Sequence, residues 1–580
     1  MQEKALSKII LPVKAKIVLG IILSALSAIS KVLVFCLFAL IISNLVQNEI
    51  RIDLLVLAGV FVVAELLLRM FGFGISHKAA FELEQILRVK ISSKMAKIPY
   101  GDVISLGTGE LKKIMLNDVK ELHSYVADTT PYFGSLSVLP VASMIALLWL
   151  DYRMFLVSIG VFFVGGFILM FAFKDNAKYR QKYDDATALI NASIIEFIQA
   201  MAVVRTFSNT DNSFNKYDEA LKNYADSLKE WLSFSSLSSK LAIAVLSPLP
   251  TYFALSVAGA IFYLNNSLML GDFVGCLLVG TGFVSVFMPL MMLRNFIMKS
   301  NAAALSIMQF LNTKELFISP LPKVPNGYDL EFKNVSFKYP NKDEFALKNI
   351  NFNVKNGEII AFVGESGAGK STAATLIPRF YDVSEGEIKI GGINIKDIAM
   401  QDLNNLISFV FQDVFLFNET IYENIIKSKP NATKDEVINA AKAANIHDFI
   451  MGLENGYDSV IGERGASLSG GEKQRISIAR AILKDAPIIV LDEATAFADA
   501  LSEEQIIKAI SNLIKNKTAI IIAHRLSTIA CVDEIFVFKN ASICQNGTHD
   551  ELITQDGEYK KLWQTYQDAQ IWNIRGKNAN

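Results

Sequence analysis

The chain is poor in cysteine and carries no excess charge of either sign. Its four cysteines, Cys36, Cys276, Cys531 and Cys544, form no C-x-x-C pair and are split between an apolar first half and a polar second half. That distribution suggests neither a disulfide framework nor a zinc site, and the four read as ordinary buried thiols. Lys and Arg total 56 against 57 Asp and Glu, a formal charge of −1. Nothing global therefore points to nucleic acid as a partner, and any charge argument has to be local. The N-terminus is not expected to be a secretory leader. Lys4, Lys8, Lys14 and Lys16 precede an apolar run, but no small-residue cleavage site leads into a polar mature region. The segment reads instead as the cytoplasmic foot of a first membrane helix.

Apolar residues are what the chain has in excess: 52% of 580, with a mean hydropathy of +0.34. This is high for a soluble enzyme, and the length allows two or more domains. Six stretches, near 17–45, 52–75, 131–150, 154–173, 240–264 and 272–298, are apolar enough to cross a hydrocarbon core that needs roughly 20 helical residues. The loop after the second carries Lys78, Arg88, Lys90, Lys94, Lys97, Lys112, Lys113 and Lys120, whereas the turns near 46–51, 151–153 and 265–271 are short and weakly basic. The asymmetry puts both termini in the cytoplasm. The loops 76–130 and 174–239 keep a helical period and read as membrane helices continued into the cytosol. Each turns where Gly, Pro, Ser, Asn and Asp gather, at Pro99–Gly109 and Phe207–Phe214, in short elements placed to press on a soluble domain.

Inside the second span, Glu65 and Arg69 stand at i and i+4, where intramembrane charge has to be paired or face water. A structural ion pair and a substrate contact both fit. Lys31 and Arg294 read as nearer to membrane ends, where long side chains snorkel. Phe283, Phe287, Met288, Met291, Met292 and Phe296 suit an adaptable apolar cavity or plain helix packing, and Pro289 is expected to kink the last span.

Composition changes after Thr313. Pro320, Pro322, Pro325 and Gly327 mark a linker, and alternation from Tyr328 onward signals strands. Ile359 to Thr372 then reads I-I-A-F-V-G-E-S-G-A-G-K-S-T, a buried strand, a glycine-rich turn and a helix opening. In that setting the backbone N–H groups of Gly364, Glu365, Ser366, Gly367, Ala368 and Gly369 converge on phosphate oxygens. Lys370 reaches the outer phosphates, Ser371 is a candidate Mg²⁺ ligand, and Thr372 continues the helix. A second motif, Ile488 to Glu493, is a buried strand ending in two carboxylates. Asp492 suits hydrated Mg²⁺, and Glu493 stands one residue nearer an attacking water. A third, Leu468-Ser469-Gly470-Gly471-Glu472, is a capped helix start and so a second anion site.

With this third motif the chain resembles the ATP-binding cassette superfamily, and over nearly its whole length it looks like a half-transporter of the exporter type. The resemblance implies that Tyr339 in F-K-Y-P stacks on adenine and that Gln412 in F-V-F-Q-D senses the γ-phosphate and Mg²⁺. It makes Glu493 the general base or water-orienting carboxylate, His524 in I-I-A-H-R-L a γ-phosphate contact, and Ser469 to Glu472 a nucleotide contact. Asp499 keeps the family's place, while the bulky Phe497 before it departs from the usual S-A-L-D segment. Gly462-Glu463-Arg464-Gly465 resembles the loop that contacts the membrane helices in exporters. In the family the phosphate loop of one domain faces the signature of another. This chain has one of each, so it implies a dimer with a second half-transporter subunit, identical or similar.

The expected fold is multi-domain: a six-helix all-α transmembrane domain (1–312), a linker (313–327), an α/β P-loop ATPase domain (328–568) and a C-terminal tail (569–580). The implied function is ATP-driven movement of an amphipathic substrate across a bacterial inner membrane, with ATP and Mg²⁺ at the soluble domain. Gly109-Glu110-Leu111-Lys112, Asp118-Val119, Leu122-His123 and Asp151-Tyr152-Arg153 look like the subgroup that handles ferric siderophores. There His123 is either a functional contact or a solvated helix-face histidine. No flavin-reductase extension precedes the first span, so coupled siderophore reduction is not expected. A drug or lipid exporter of the same fold is the alternative, and an ATP-gated channel or regulator is the alternative of another class.

Overall fold

The computed structural model describes residues 3–172, 176–207, 215–340, 342–492, 500–523 and 526–571. They form two compact units, one of Met1–Lys94 with Thr108–Thr313 and the other of Met95–Gly107 with Lys314–Asn580.

The first unit is helical. Four stretches are long and apolar enough to cross a bilayer: Leu11–Val46, Ile52–Met95, Tyr100–Leu150 and Tyr152–Met170. Two shorter apolar helices, Pro248–Leu264 and Leu270–Val279, stand at the fifth and sixth expected spans. The fifth is broken because Ser247 is extended (φ −87, ψ 161); it precedes Pro248, whose ring disfavours the helical region for its neighbour. In the sixth, the helix stops at Val279 and resumes at Phe287. A Cβ on Gly280 would lie 2.3 Å from the Leu255 side chain and one on Gly282 2.0 Å from Ser143 Oγ, so these glycines let the turn press against neighbouring helices. Pro289 then falls in the first turn of Phe287–Leu311, where a missing N–H costs little, and the chain breaks before it rather than at it.

Close backbone approach also joins Lys14–Val46 to Thr130–Leu150. A Cβ on Gly134 would sit 2.1 Å from the carbonyl oxygen of Ile21 and 2.9 Å from the nitrogen of Ala25. In a bilayer, where lipid is as apolar as leucine, such small-residue contacts supply much of the helix association. Of the thiols expected to be buried, Cys276 is buried and Cys36 half-buried, but Cys531 and Cys544 are exposed.

The second unit holds two sheets. One, of order β2-β1-β4-β5, comprises β1 (Leu330–Phe337), β2 (Leu347–Val354), β4 (Glu385–Ile390) and β5 (Ile393–Asn394), all antiparallel. The other, of order β10-β9-β3-β8-β7-β6, comprises β3 (Ile359–Gly364), β6 (Ile407–Val410), β7 (Ile488–Asp492), β8 (Thr518–Ile522), β9 (Glu534–Lys539) and β10 (Ser542–Gly547). Pairing from β9 through β3, β8 and β7 to β6 is parallel, and Ile360 to Val363 and Ile488 to Val490 are wholly buried. Near-continuous apolar strands are what a parallel sheet covered on both faces requires.

Gly134→Val should force the two helices apart and lower stability by about 1–3 kcal/mol, the cost of overpacking a close contact. Thermal unfolding of the detergent-solubilised protein reads this as a lower midpoint, and an unchanged midpoint would show that the helices are not held at that distance.

Candidate nucleotide site

The parallel strands deliver the site residues to one edge of the sheet. Gly364 ends β3, Asp492 ends β7 opposite Ile522 of β8, and Val410, two residues before Gln412, lies opposite Leu491. Glu493, Phe497, Asp499 and His524 lie outside the described residues; Glu493 directly follows β7, and His524 follows β8 by two residues.

The phosphate loop depends on backbone that side chains would obstruct. Gly364 has φ 142, and a Cβ there would lie 2.2 Å from the carbonyl oxygen of Phe538 on β9. Gly369 has φ 109, with Ala346 O 2.8 Å from a Cβ. Both positions exclude L side chains, by conformation and by space. Lys370 opens the helix Lys370–Leu376, is only 5% exposed, and donates from Nζ to Gly364 O (2.8 Å) and Glu365 O (2.9 Å). Its ammonium thus lies across the loop it serves. Ser371 Oγ is 3.4 Å from Asp492 Oδ1, so two of the three candidate metal ligands meet; Gln412 is half-buried at the end of the adjacent strand. The Tyr339 hydroxyl lies 3.0 Å from Thr372 Oγ1, and its ring packs edge-on against Phe337 and Tyr381.

The signature forms the start of the helix Gly470–Lys484. Ser469 Oγ accepts from Glu472 N (3.4 Å), and Glu472 Oε2 accepts from Ser469 N (2.8 Å), a reciprocal capping box. The Glu472 carboxylate is thereby turned onto its own backbone. One turn before the helix ends, Arg480 donates to Asn424 O, Asn424 Oδ1 and Phe415 O at 2.5–2.8 Å. Burial pulls this guanidinium down to about 10, against the raising effect of Glu419. Arg480 therefore clamps the signature helix to the loop that follows Gln412, a link that motif spacing does not reveal.

Side-chain alternation along β7 decides which face each motif occupies. Ile488 and Val490 pack in one core with Ala373, Ala374 and Leu376 of the phosphate-loop helix. Ile489 and Leu491 pack in another with Leu468, Ile476, Ala479 and Leu483 of the signature helix. Within one chain the two helices cover opposite faces of the sheet.

Residues 95–107 belong to this unit although the sequence around them is membrane helix. Gly101 N donates to Phe380 O (3.0 Å), Tyr100 packs edge-on against Phe380 (centroids 4.8 Å), and Leu316 N donates to Lys97 O (3.0 Å). A Cβ on Gly101 would fall 1.7 Å from the Tyr381 ring. Phe380 also stacks on Phe411, the neighbour of Gln412. Asp102 is raised by burial, and Tyr381 is pushed up to about 12 by burial first and then by Tyr339 and Asp102. The expected turn at Pro99–Gly109 does press on the nucleotide-binding fold, whereas the second turn, Phe207–Phe214, lies almost wholly outside the described residues. The loop resembling the exporters' membrane-contacting loop is a tight turn, Glu463–Gly465, with Arg464 at φ 54.

The histidines divide. His447 Nδ1 is 2.9 Å from the Tyr457 hydroxyl, and His549 Nδ1 is 2.7 Å from that of Tyr559, both ordinary satisfied contacts. His123 is not a solvated face residue: its Nδ1 lies 2.9 Å from Glu84 Oε2, beside the Phe81 ring.

Comparisons with known proteins agree with this arrangement. Residues 17–300 match the ABC transporter transmembrane region and residues 347–496 match the ABC transporter family. The chain is 35% identical to the putative multidrug export ATP-binding/permease protein YgaD of Bacillus subtilis over 82% of each chain. It is 30% identical to the mycobactin import ATP-binding/permease protein IrtA of Mycobacterium tuberculosis, over 98% of this chain and 67% of that one. A solved bacterial Atm1-family ABC exporter with ATP bound superposes with a TM-score of 0.70 at 27% identity, covering 97% of this chain and 98% of the other.

Gly101→Val should dislodge the 95–107 segment from Tyr381 while leaving the phosphate loop intact. Basal ATPase is expected to stay within about twofold, and transport to fall by roughly tenfold or more, because coupling runs through packed contacts. Parallel ATPase and flux assays on one reconstituted sample check this; equal loss of both would place Gly101 in general folding instead.

Proposed function

Because the chain belongs to the ABC transporter family, as a half-transporter, we propose that two such chains, identical or similar, close face to face on two ATP molecules. Each site then joins the phosphate loop of one chain to the signature of the other. The chain is an integral protein of the bacterial inner membrane, and its activity is ATP hydrolysis coupled to substrate movement. The observation that carries the two-chain reading is the separation of the two helices onto opposite faces of one sheet. We assign the membrane domain to 1–312, the linker to 313–327, the nucleotide-binding domain to 328–568 and the tail to 569–580.

In this reading the 364–369 loop and Lys370 grip the phosphates and Tyr339 takes the adenine. Glu493 orients or deprotonates the attacking water, with His524 at the γ-phosphate and Asp499 at the partner-facing edge. Ser469, Gly470 and Gly471 of the partner offer hydroxyl and backbone N–H groups to the phosphates, while Glu472 holds the cap that orients them. Ser371, Asp492 and Gln412 form an all-oxygen set that fits Mg²⁺, and the contact between Ser371 and Asp492 supports it. Mg²⁺ there supplies charge neutralisation at the β- and γ-phosphates. ATP shifts the conformational equilibrium through contacts made only in the closed state, and hydrolysis releases it.

The cargo we propose is a small amphipathic molecule. Likeness to the mycobactin import protein favours a ferric siderophore moving inward; likeness to the multidrug export protein and the exporter structure favours outward drug or lipid movement. The test is ATP-driven flux of a labelled ferric siderophore in proteoliposomes whose nucleotide domains face the bath, with Glu493→Gln as the blank. That variant should bind ATP and not turn over. ATP-dependent loss of label from preloaded vesicles means import, and accumulation inside means export. If the siderophore stays put while a drug or lipid is pumped inward, the siderophore reading fails; wild-type ATPase in Glu493→Gln removes the assignment of that carboxylate.

A further inference from the structure

The membrane unit contains a cavity of about 810 Å³ whose wall is part apolar and part charged, lined by Lys31, Glu65 and Arg69 among others. Lys31 is on the helix Lys14–Val46, and Glu65 and Arg69 are on Ile52–Met95. Counting ~1.5 Å per residue from the turn between these helices, the three side chains leave their backbones at similar depths, between roughly 20 and 26 Å along. Lys31 therefore stands level with Glu65 and Arg69 along the paired helices. The two helices are tied at this level, with Ser27 Oγ donating to Glu65 O (3.3 Å).

A purely structural ion pair accounts for only part of this arrangement. Arg69 Nη1 is 3.6 Å from Glu65 Oε1, too long for a hydrogen bond, and the Arg69 side chain is 60% exposed against 17% for Glu65. Lys31 makes no ion pair among the described residues, so Lys31 and Arg69 together outweigh Glu65 by one positive charge. Ser24 lines the same cavity and is 4% exposed, its hydroxyl turned toward Gly72 of the neighbouring helix. Unbalanced charge within membrane helices is retained where it meets a ligand or water, and the excess sign selects the ligand. Phe73 and Leu136 complete the wall with apolar surface.

Building on the transporter reading, we propose that this cavity binds the anionic, oxygen-bearing head of an amphipathic small molecule. Lys31 and Arg69 are its counter-charges, and Glu65 stands beside the Arg69 guanidinium. Arg69 offers a planar fork suited to carboxylate or phosphate, and its loose contact with Glu65 lets it turn to an incoming anion.

The experiment uses the full chain in nanodiscs of neutral phosphatidylcholine, without nucleotide. Binding of dansyl-labelled undecanoate is compared with that of its carboxamide and its alkylamine analogue. The carboxylate should bind roughly tenfold more tightly than the amide, and the amine most weakly. Lys31→Gln and Arg69→Gln should each remove most of the carboxylate's advantage, while Lys31→Arg and Arg69→Lys, which keep the charge, should retain it. Equal binding of the three probes, or an advantage that survives both Gln substitutions, overturns the proposal. Loss of binding in the charge-preserving variants as well shows that charge is not what the cavity reads and also overturns it. Repeating the titration with phosphatidylglycerol in the nanodisc separates the two sources of an anionic head: undiminished probe binding supports the small molecule, and displacement through the same two residues assigns the cavity to lipid instead. Since binding is read without ATP, a negative result here is distinct from failure of the flux assay, which tests the transporter reading itself.

Discussion

Side chains in a β-strand alternate between two faces, and in β7 this alternation governs the rest of the soluble unit. The even-numbered residues Ile488 and Val490 hold the phosphate-loop helix, and the odd-numbered Ile489 and Leu491 hold the signature helix. The two helix starts, both proposed anion sites, are thereby fixed on opposite faces of the same sheet. The constraint follows from strand geometry, and under the proposed function it makes ATP the element that joins two chains. The capping box at Ser469 fits the same logic: its carboxylate is used up internally, leaving the exposed Gly470 of the helix start free of a side chain.

The 95–107 segment is seated on the nucleotide-binding fold through aromatic packing. Residues 95–107 reach Phe380 and Tyr381; Phe380 stacks on Phe411 beside Gln412, and Tyr381 meets Tyr339. Segment 95–107 thus contacts the flanks of both Gln412, the proposed γ-phosphate sensor, and Tyr339, the proposed adenine platform. Ile52–Met95, which carries Glu65 and Arg69, runs directly into this segment. Arg480 adds a second brace, tying the signature helix to the loop after Gln412.

The parts legible in the sequence were those that local chemistry dictates. Gly364 and Gly369 announce backbone that no other residue adopts, Ser469 and Glu472 announce a cap, and Asp492 at the end of an apolar strand announces a site edge that meets Ser371. The apolar runs gave the first four spans, while the last two are interrupted where Pro248 and the closely packed Gly280 and Gly282 override hydropathy. What stayed hidden depends on residues distant in sequence. The Arg480 clamp, the seat of Gly101 on Tyr381, the pairing of His123 with Glu84 and the position of Lys31 beside Glu65 have no local signature.

The most direct test of the shared-site account is complementation between two defective chains. In a Glu493→Gln background that traps nucleotide, one chain carries Lys370→Ala and the other Gly470→Asp, and mixed pairs are isolated through two different tags. Each parent alone has both of its sites damaged and should trap no ATP. A mixed pair keeps one site intact, formed from the unaltered loop of one chain and the unaltered signature of the other, and should trap one ATP per two chains. Mixed pairs that trap no more than their parents would contradict the account, because sites contained within single chains would leave both halves broken.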